Sequence, residues 1–310
     1  MRRSRLAVAM SLCAALIQPS VAGDSPTTAK TQFRTAQQII DAAPASAWRD
    51  LDPANTLYLE LATGRVIIEL APQFAPQHVA NIRTLAHDHW FDGLSINRSQ
   101  DDFVVQWGDP NAGEKDARAL APAKDHLPAE FSAAANTLAF HPLPDSDGYA
   151  PKVGFVDGFP TGMDPASGKA WLAHCYGTVG AGRDMAPDSS TGAELYVVIG
   201  QAPRQLDLNI TTVGRVVKGM ELLSVLPRGS GPLGFYEKPE QRVPIRSIHL
   251  ASEVPLAERT PLQVLRTDTP TWDAQVEARR NRHDDWYQRP AGHIDLCNVP
   301  IPVRTPPPTP

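Results

Sequence analysis

Arg98, Phe103 and Gln106 fall within nine positions of one another and offer a charged donor, an apolar ring and an amide. A guanidinium is a permanently charged hydrogen-bond donor with a rigid planar fork. Each residue also has an ordinary reading. An arginine near Asp101 and Asp102 suits a surface ion pair worth under about 1 kcal/mol. A strand phenylalanine suits a core, and a strand glutamine suits a solvated face. More aggressive chemistries lack their residues. Gly168-Lys169 has neither the spacing nor the Ser/Thr of a phosphate-binding loop, and Met185 stands where a dinucleotide loop needs its third glycine. No Gly-x-Ser-x-Gly occurs. His87-Asp88-His89 reads as a solvated run rather than a metal site, and Asp145-Ser146-Asp147-Gly148 as a turn rather than a calcium loop. What remains is chemistry without nucleophile, metal or cofactor.

The elements that must carry this set are short. Asp92-Gly93 is a turn dipeptide, Leu94 to Arg98 alternates as a half-buried strand, and Ser99 to Asp102 is a polar break. Phe103 to Trp107 reads as a second strand, ended by Gly108-Asp109-Pro110. Strict alternation puts Phe103 and Gln106 on opposite faces, so one pocket can hold both only if the strand twists or bulges between them.

The chain has 310 residues, 42% hydrophobic and 20% charged, enough for one large domain with extensions or two small ones. Residues 1–22 read as a secretory signal: Arg2, Arg3 and Arg5, an apolar run from Leu6 to Ile17 too short to span a bilayer, and Ser20-Val21-Ala22 as the cleavage site. Cleavage would take the formal charge from −5 to −8. An acidic mature chain does not suit a phosphate backbone, so nucleic acid is excluded as a partner. No later apolar run reaches spanning length, so the expectation is a soluble periplasmic or secreted protein. Only Cys175 and Cys297 survive cleavage, in a compartment that permits oxidation, and they are the candidate disulfide.

Residues 23–53 read as a linker containing a short helix, opened by the capping box Thr35-Ala36-Gln37-Gln38, and a connector in which Trp48 docks on the main body. Asn55 to Leu70 predicts a hairpin turning at Thr63-Gly64. A helix with Pro76 in its first turn follows, its face formed by Val79, Ile82, Leu85 and Ala86. The stretch 110–171, rich in Pro, Gly and Asp, reads as an insertion; structureless loops of that length are uncommon in compact domains and often functional. Residues 254–310 predict a helix capped by Thr269-Pro270 and an extended proline-rich tail.

The stretch Phe91-Asp92-Gly93, Arg98, Phe103-Val104-Val105-Gln106-Trp107-Gly108-Asp109 resembles the signature of the cyclophilin-type peptidyl-prolyl isomerases. The resemblance runs from about Leu57 to Ala251, through Gly177–Arg183, Thr191–Val197 and Val213–Leu223. It implies a mainly β fold over residues 54–253: a closed antiparallel β-barrel capped by helices, with the long insertion inside it and the C-terminal extension after it. It also implies isomerisation of X-Pro bonds, here in exported proteins whose folding it would assist, with proline-containing polypeptides as substrates and no cofactor or metal.

Rotation about the X-Pro bond must break amide conjugation against a barrier of about 18–20 kcal/mol. A catalyst need only favour the twisted amide over both planar forms. Once conjugation is lost, the prolyl nitrogen can accept a hydrogen bond. The resemblance makes Arg98 that donor, Phe103 the wall holding the proline ring, and Gln106 the holder of the substrate carbonyl and of Arg98. It assigns Tyr196, Leu206 and Ile210 to the proline pocket, and Gly182 and Arg183 to the residue before proline. The rim departs from the family pattern. Gln205 stands where many members carry a tryptophan that contacts cyclosporin, Ile210 replaces a histidine, Glu194 a glutamine and Val104 a methionine. The alternative to an isomerase is a non-catalytic peptide-binding module or periplasmic holdase that keeps the pocket without turnover.

Overall fold

A computed structural model of the protein describes residues 33–284 and 286–307. The leader read at 1–22 and residues 23–32 of the linker after it lie outside the described residues. Eight antiparallel strands close a barrel: β1 (Thr56–Leu61), β2 (Gly64–Leu70), β3 (Ser95–Ser99), β4 (Val104–Gly108), β5 (Thr178–Ala181), β6 (Leu195–Val198), β7 (Thr212–Lys218) and β8 (Val243–Leu250). Their order round the barrel is β5-β6-β4-β3-β8-β1-β2-β7, closed by β7 against β5. The period-2 pattern of the first hairpin sets which side faces in. Leu57, Leu59, Leu61, Val66, Ile68 and Leu70 are buried in the barrel core, while Tyr58 and Ile67 pack outside against Leu262. Fully burying each such side chain contributes about 1.5–3 kcal/mol. Among the described residues no helix is long and apolar enough to cross a membrane.

The helices start where their caps stand. α1 (Ala36–Asp41) has the capping box of Thr35 and Gln38. α2 (Pro76–His87) has proline at its start but no side-chain cap from Ala75. The cap comes from outside the helix: Glu130 accepts the Gln77 and His78 N–H groups at 3.0 and 2.9 Å, and its carboxylate also meets His78 Nδ1 at 2.7 Å. This satisfies helix-end donors and sets a negative charge on the positive end of the dipole. α3 (Met220–Ser224) follows β7, and α4 (Pro270–Arg280) is capped by Thr269.

The insertion has structure of its own. Residues 133–172 form a five-stranded antiparallel sheet in the order 133–134, 169–172, 159–164, 152–156, 141–142. Its central hairpin turns on Asp157 and Gly158, both with positive φ (51° and 82°), the backbone that an Asp-Gly two-residue turn supplies. The tail is not one extended run either: Leu296–Asn298 makes a 3-10 turn and Val303–Arg304 a strand. That strand, Gln263–Leu265 and Trp48–Asp50 form a three-stranded sheet. Trp48, Phe155, Trp171, Trp272, Leu296 and Cys175 share a second apolar core. Glu69 of β2 ties this layer to the barrel, bound to Arg49 at 2.6 Å and to the buried Arg215 of β7 at 3.1 Å. The sulfurs of Cys175 and Cys297 lie 2.07 Å apart as a disulfide, with Cα atoms 5.0 Å apart.

Candidate active site

The conflict over the two faces of the Phe103–Gln106 segment is resolved at its beginning. β4 starts at Val104, so Phe103 lies before the strand, just after Asp102 with φ of 50°. The tight turn frees Phe103 from the alternation. A register shift in β3 between Ile96 and Arg98 then sets Arg98 directly across from Gln106. The result is one outer face of the barrel on which Phe103 and Ile210 pack against Val104, Tyr196 and Val198. Leu206 stands half-buried on the adjoining 3-10 turn, Arg204–Leu206, outside that cluster.

Arg98 is held on every side. Its Nε donates to the Leu233 carbonyl at 2.7 Å, one terminal nitrogen donates to Gln106 Oε1 at 2.9 Å, and the other to Gln100 Oε1. Its guanidinium carbon lies 5.4 Å from the ring centroids of both Phe103 and Phe235. A guanidinium carries five N–H donors. Three are engaged among the described residues, which leaves one on each terminal nitrogen without a partner there. Burial lowers the Arg98 pKa against the opposing pull of Glu194, and an arginine so shifted still carries its charge. Burial in turn pushes the Glu194 carboxyl above the usual range, against the Gln106 amide and the Arg98 charge.

Gly182 and Arg183 follow β5. The Gly182 N–H donates to the Glu194 carbonyl at 2.8 Å, which sets this turn beside Gln106. The Arg183 guanidinium folds back on the main chain, donating to Asn209 O at 2.9 Å and Asp184 O at 2.7 Å. A cleft beyond them is lined by Gly182, Ala193 and Glu194 on the barrel side and by Trp90 and Arg118 opposite. His87 and His89 do not converge: His87 pairs with Glu253 at 2.7 Å and His89 with Asp92 at 3.1 Å.

Sequence reasoning missed Gln100, Leu233 and Phe235 around Arg98. The last two come from a loop more than a hundred residues away in the chain, and no local pattern points to them. Only Gly234 carried a hint. It has φ of 78°, and a Cβ there would stand 2.6 Å from Gln100 Cα, so glycine is what lets the loop approach Arg98.

The family sequence model described as "Cyclophilin type peptidyl-prolyl cis-trans isomerase/CLD" matches residues 56–250. The chain belongs to this family. The match covers the whole barrel, and the insertion sheet is contained in it as an elaboration of this cyclophilin. A Brucella suis protein named "Probable peptidyl-prolyl cis-trans isomerase" is 30% identical over 186 residues, 58% of this chain and 74% of its own length. The human protein named "Peptidyl-prolyl cis-trans isomerase-like 1" is 35% identical over 69 residues, 22% of this chain and 39% of its own. The crystal structure of cyclophilin AquaCyp293 from Hirschia baltica is 24% identical, with a TM-score of 0.67 over 88% of this chain and 98% of that one. That likeness concerns the fold, and its extent reaches beyond residues 56–250 into the elements that pack on this cyclophilin's barrel.

Proposed function

We propose that this cyclophilin isomerises X-Pro bonds of exported polypeptides and so assists their folding, with Arg98 as the donor to the twisted amide. The observation that carries the reading is the clamped guanidinium. Its guanidinium carbon lies 5.4 Å from the ring of Phe103, which packs with Tyr196 and Ile210, and two N–H groups are left over. Phe103, Tyr196, Leu206 and Ile210 take the proline ring, Gln106 takes the substrate carbonyl, and Gly182 and Arg183 take the preceding residue. Such a donor is fixed before the substrate arrives, so little reorganisation is needed as the prolyl lone pair develops. Export is supported by the leader reading and by the Cys175–Cys297 bond, which suits an oxidising compartment such as the periplasm.

NMR exchange on an Ala-Pro peptide, with and without the protein, tests the activity. Faster cis–trans exchange at catalytic protein concentration is the expected result. Peptide binding without faster exchange would favour the binding-module or holdase reading, which the altered rim at Gln205 and Ile210 keeps in play.

The rim makes a second prediction. Gln205 is exposed on the 3-10 turn and lacks the indole area and N–H donor of a tryptophan. Cyclosporin is therefore expected to bind only weakly, in the micromolar range or above. A nanomolar titration would show that the rim residue matters little.

A further inference from the structure

Tyr196 contributes its ring to the pocket cluster while its oxygen turns inward, 2.9 Å from His174 Nε2. His174 is fully buried. Its Nδ1 and its backbone N–H meet Asp207 Oδ1 at 2.9 and 3.0 Å. A carboxylate on Nδ1 favours the tautomer with the proton there. Nε2 is then the acceptor, and the Tyr196 hydroxyl donates to it. The other Asp207 oxygen accepts from Arg204 Nε at 2.6 Å and from Trp171 Nε1 at 3.2 Å, and Arg204 reaches on to Asp147 at 3.0 Å. Burial pushes the Asp207 carboxyl up, but the hydrogen bond from His174 and the Arg204 charge outweigh it and hold the pKa below the usual range. Asp147 and Trp171 belong to the insertion, and His174 follows it directly.

The ring itself has little room. It lies over Gly180, where a Cβ would stand 2.2 Å from the Tyr196 hydroxyl oxygen and ring. A phenylalanine would fill the pocket side equally well, so the hydroxyl is an added constraint that His174 satisfies. The bland reading, a core histidine that merely fills space, accounts for the burial of His174. It does not account for a chain of bonds that ends on a pocket wall. Asp207 also anchors the turn that carries Leu206, which the proposed function assigns to the proline ring.

We propose that His174, oriented by Asp207, is a positioning residue that fixes the Tyr196 ring through its hydroxyl, so that the insertion sets how tightly the proline ring is held. The inference rests on the pocket described under the proposed function. Tyr196 contacts the ring alike in the planar and twisted states, so its placement acts on KM and leaves kcat to Arg98.

A double-mutant cycle of Tyr196→Phe and His174→Ala tests it, with Phe103→Ala as the reference and circular dichroism as the check on folding. Each single change is expected to raise KM about three- to tenfold, the worth of one hydrogen bond. kcat should stay within about twofold. The double variant should be no worse than the larger single one, because both remove the same bond. Should His174→Ala not fold, His174→Gln takes its place in the cycle. Unchanged KM in the single variants, effects on KM that multiply, or a fall in kcat alone would each overturn the proposal while Phe103→Ala still raises KM. If Phe103→Ala leaves KM unchanged as well, the pocket reading itself fails, and the inference with it.

Discussion

Arg98→Ala is expected to lower kcat/KM for an Ala-Pro peptide by about a hundredfold with the fold intact. Removing one preorganised donor from a developing charge costs on the order of 10²–10³ in rate. The lower end applies here because the site is open to water on one side and Arg98 is only half-buried. The same exposure protects the fold. Of the acceptors left behind, Leu233 is exposed and Gln100 half-buried, so water can reach them, and the buried Gln106 amide receives water through the space the guanidinium vacates. Arg98→Lys should recover only part of the loss, since an ammonium cannot span three fixed acceptors and still present a donor to the prolyl nitrogen. The measurement is exchange NMR on the peptide, beside a thermal melt of each variant. Wild-type exchange rates in a folded Arg98→Ala protein would remove Arg98 from the mechanism. Binding without turnover in both proteins would leave a peptide-binding module.

Loss of the Cys175–Cys297 bond is expected to cost about 3–5 kcal/mol of stability. The two residues are 122 apart in the chain, and the entropy of so large a loop sets a ceiling near 5 kcal/mol. Part of that ceiling is not reached, because the tail also holds on by packing. Ile294, Leu296 and Val299 are buried in the second core beside Trp171 and Trp272, and they would limit the freedom of a reduced tail. Urea unfolding of wild type, wild type in reductant and Cys297→Ser provides the comparison. The last two should agree with each other and unfold at clearly lower urea than the first. Coincident transitions for all three would mean that the bond does not contribute. Intact mass of the protein recovered from the periplasm bears on the leader as well: a chain beginning at Gly23 with no alkylatable thiol is the expected species.

Much of the barrel could be read locally. The first hairpin, the capping box of α1, Pro76 at the start of α2 and Thr269 before α4 stand where the spacing put them, because each depends on neighbours a few residues away. The Arg98–Phe103–Gln106 group could be recognised for the same reason, although the spacing also suggested a strand running through Phe103. The structure begins that strand one residue later. The left-handed backbone of Asp102, a residue type that adopts it more readily than most, is what swings Phe103 onto the Gln106 side.

The insertion was less legible than it should have been. Asp157-Gly158 between apolar runs is a hairpin signal, but it lay in a stretch whose proline and glycine content reads as loop. By itself the chain's sequence determined the short-range features: turns, caps, alternating strands and the arginine-aromatic-glutamine spacing. Only the tertiary structure decided that Trp48 lies opposite Leu265, that Phe235 and Leu233 close over Arg98, and that His174 reaches Tyr196. Those contacts join segments from 22 to 217 positions apart. Hydrophobic period and turn chemistry act over a few residues. Which distant strand or side chain completes a pocket depends on the register and packing of the whole barrel with the layer laid against it.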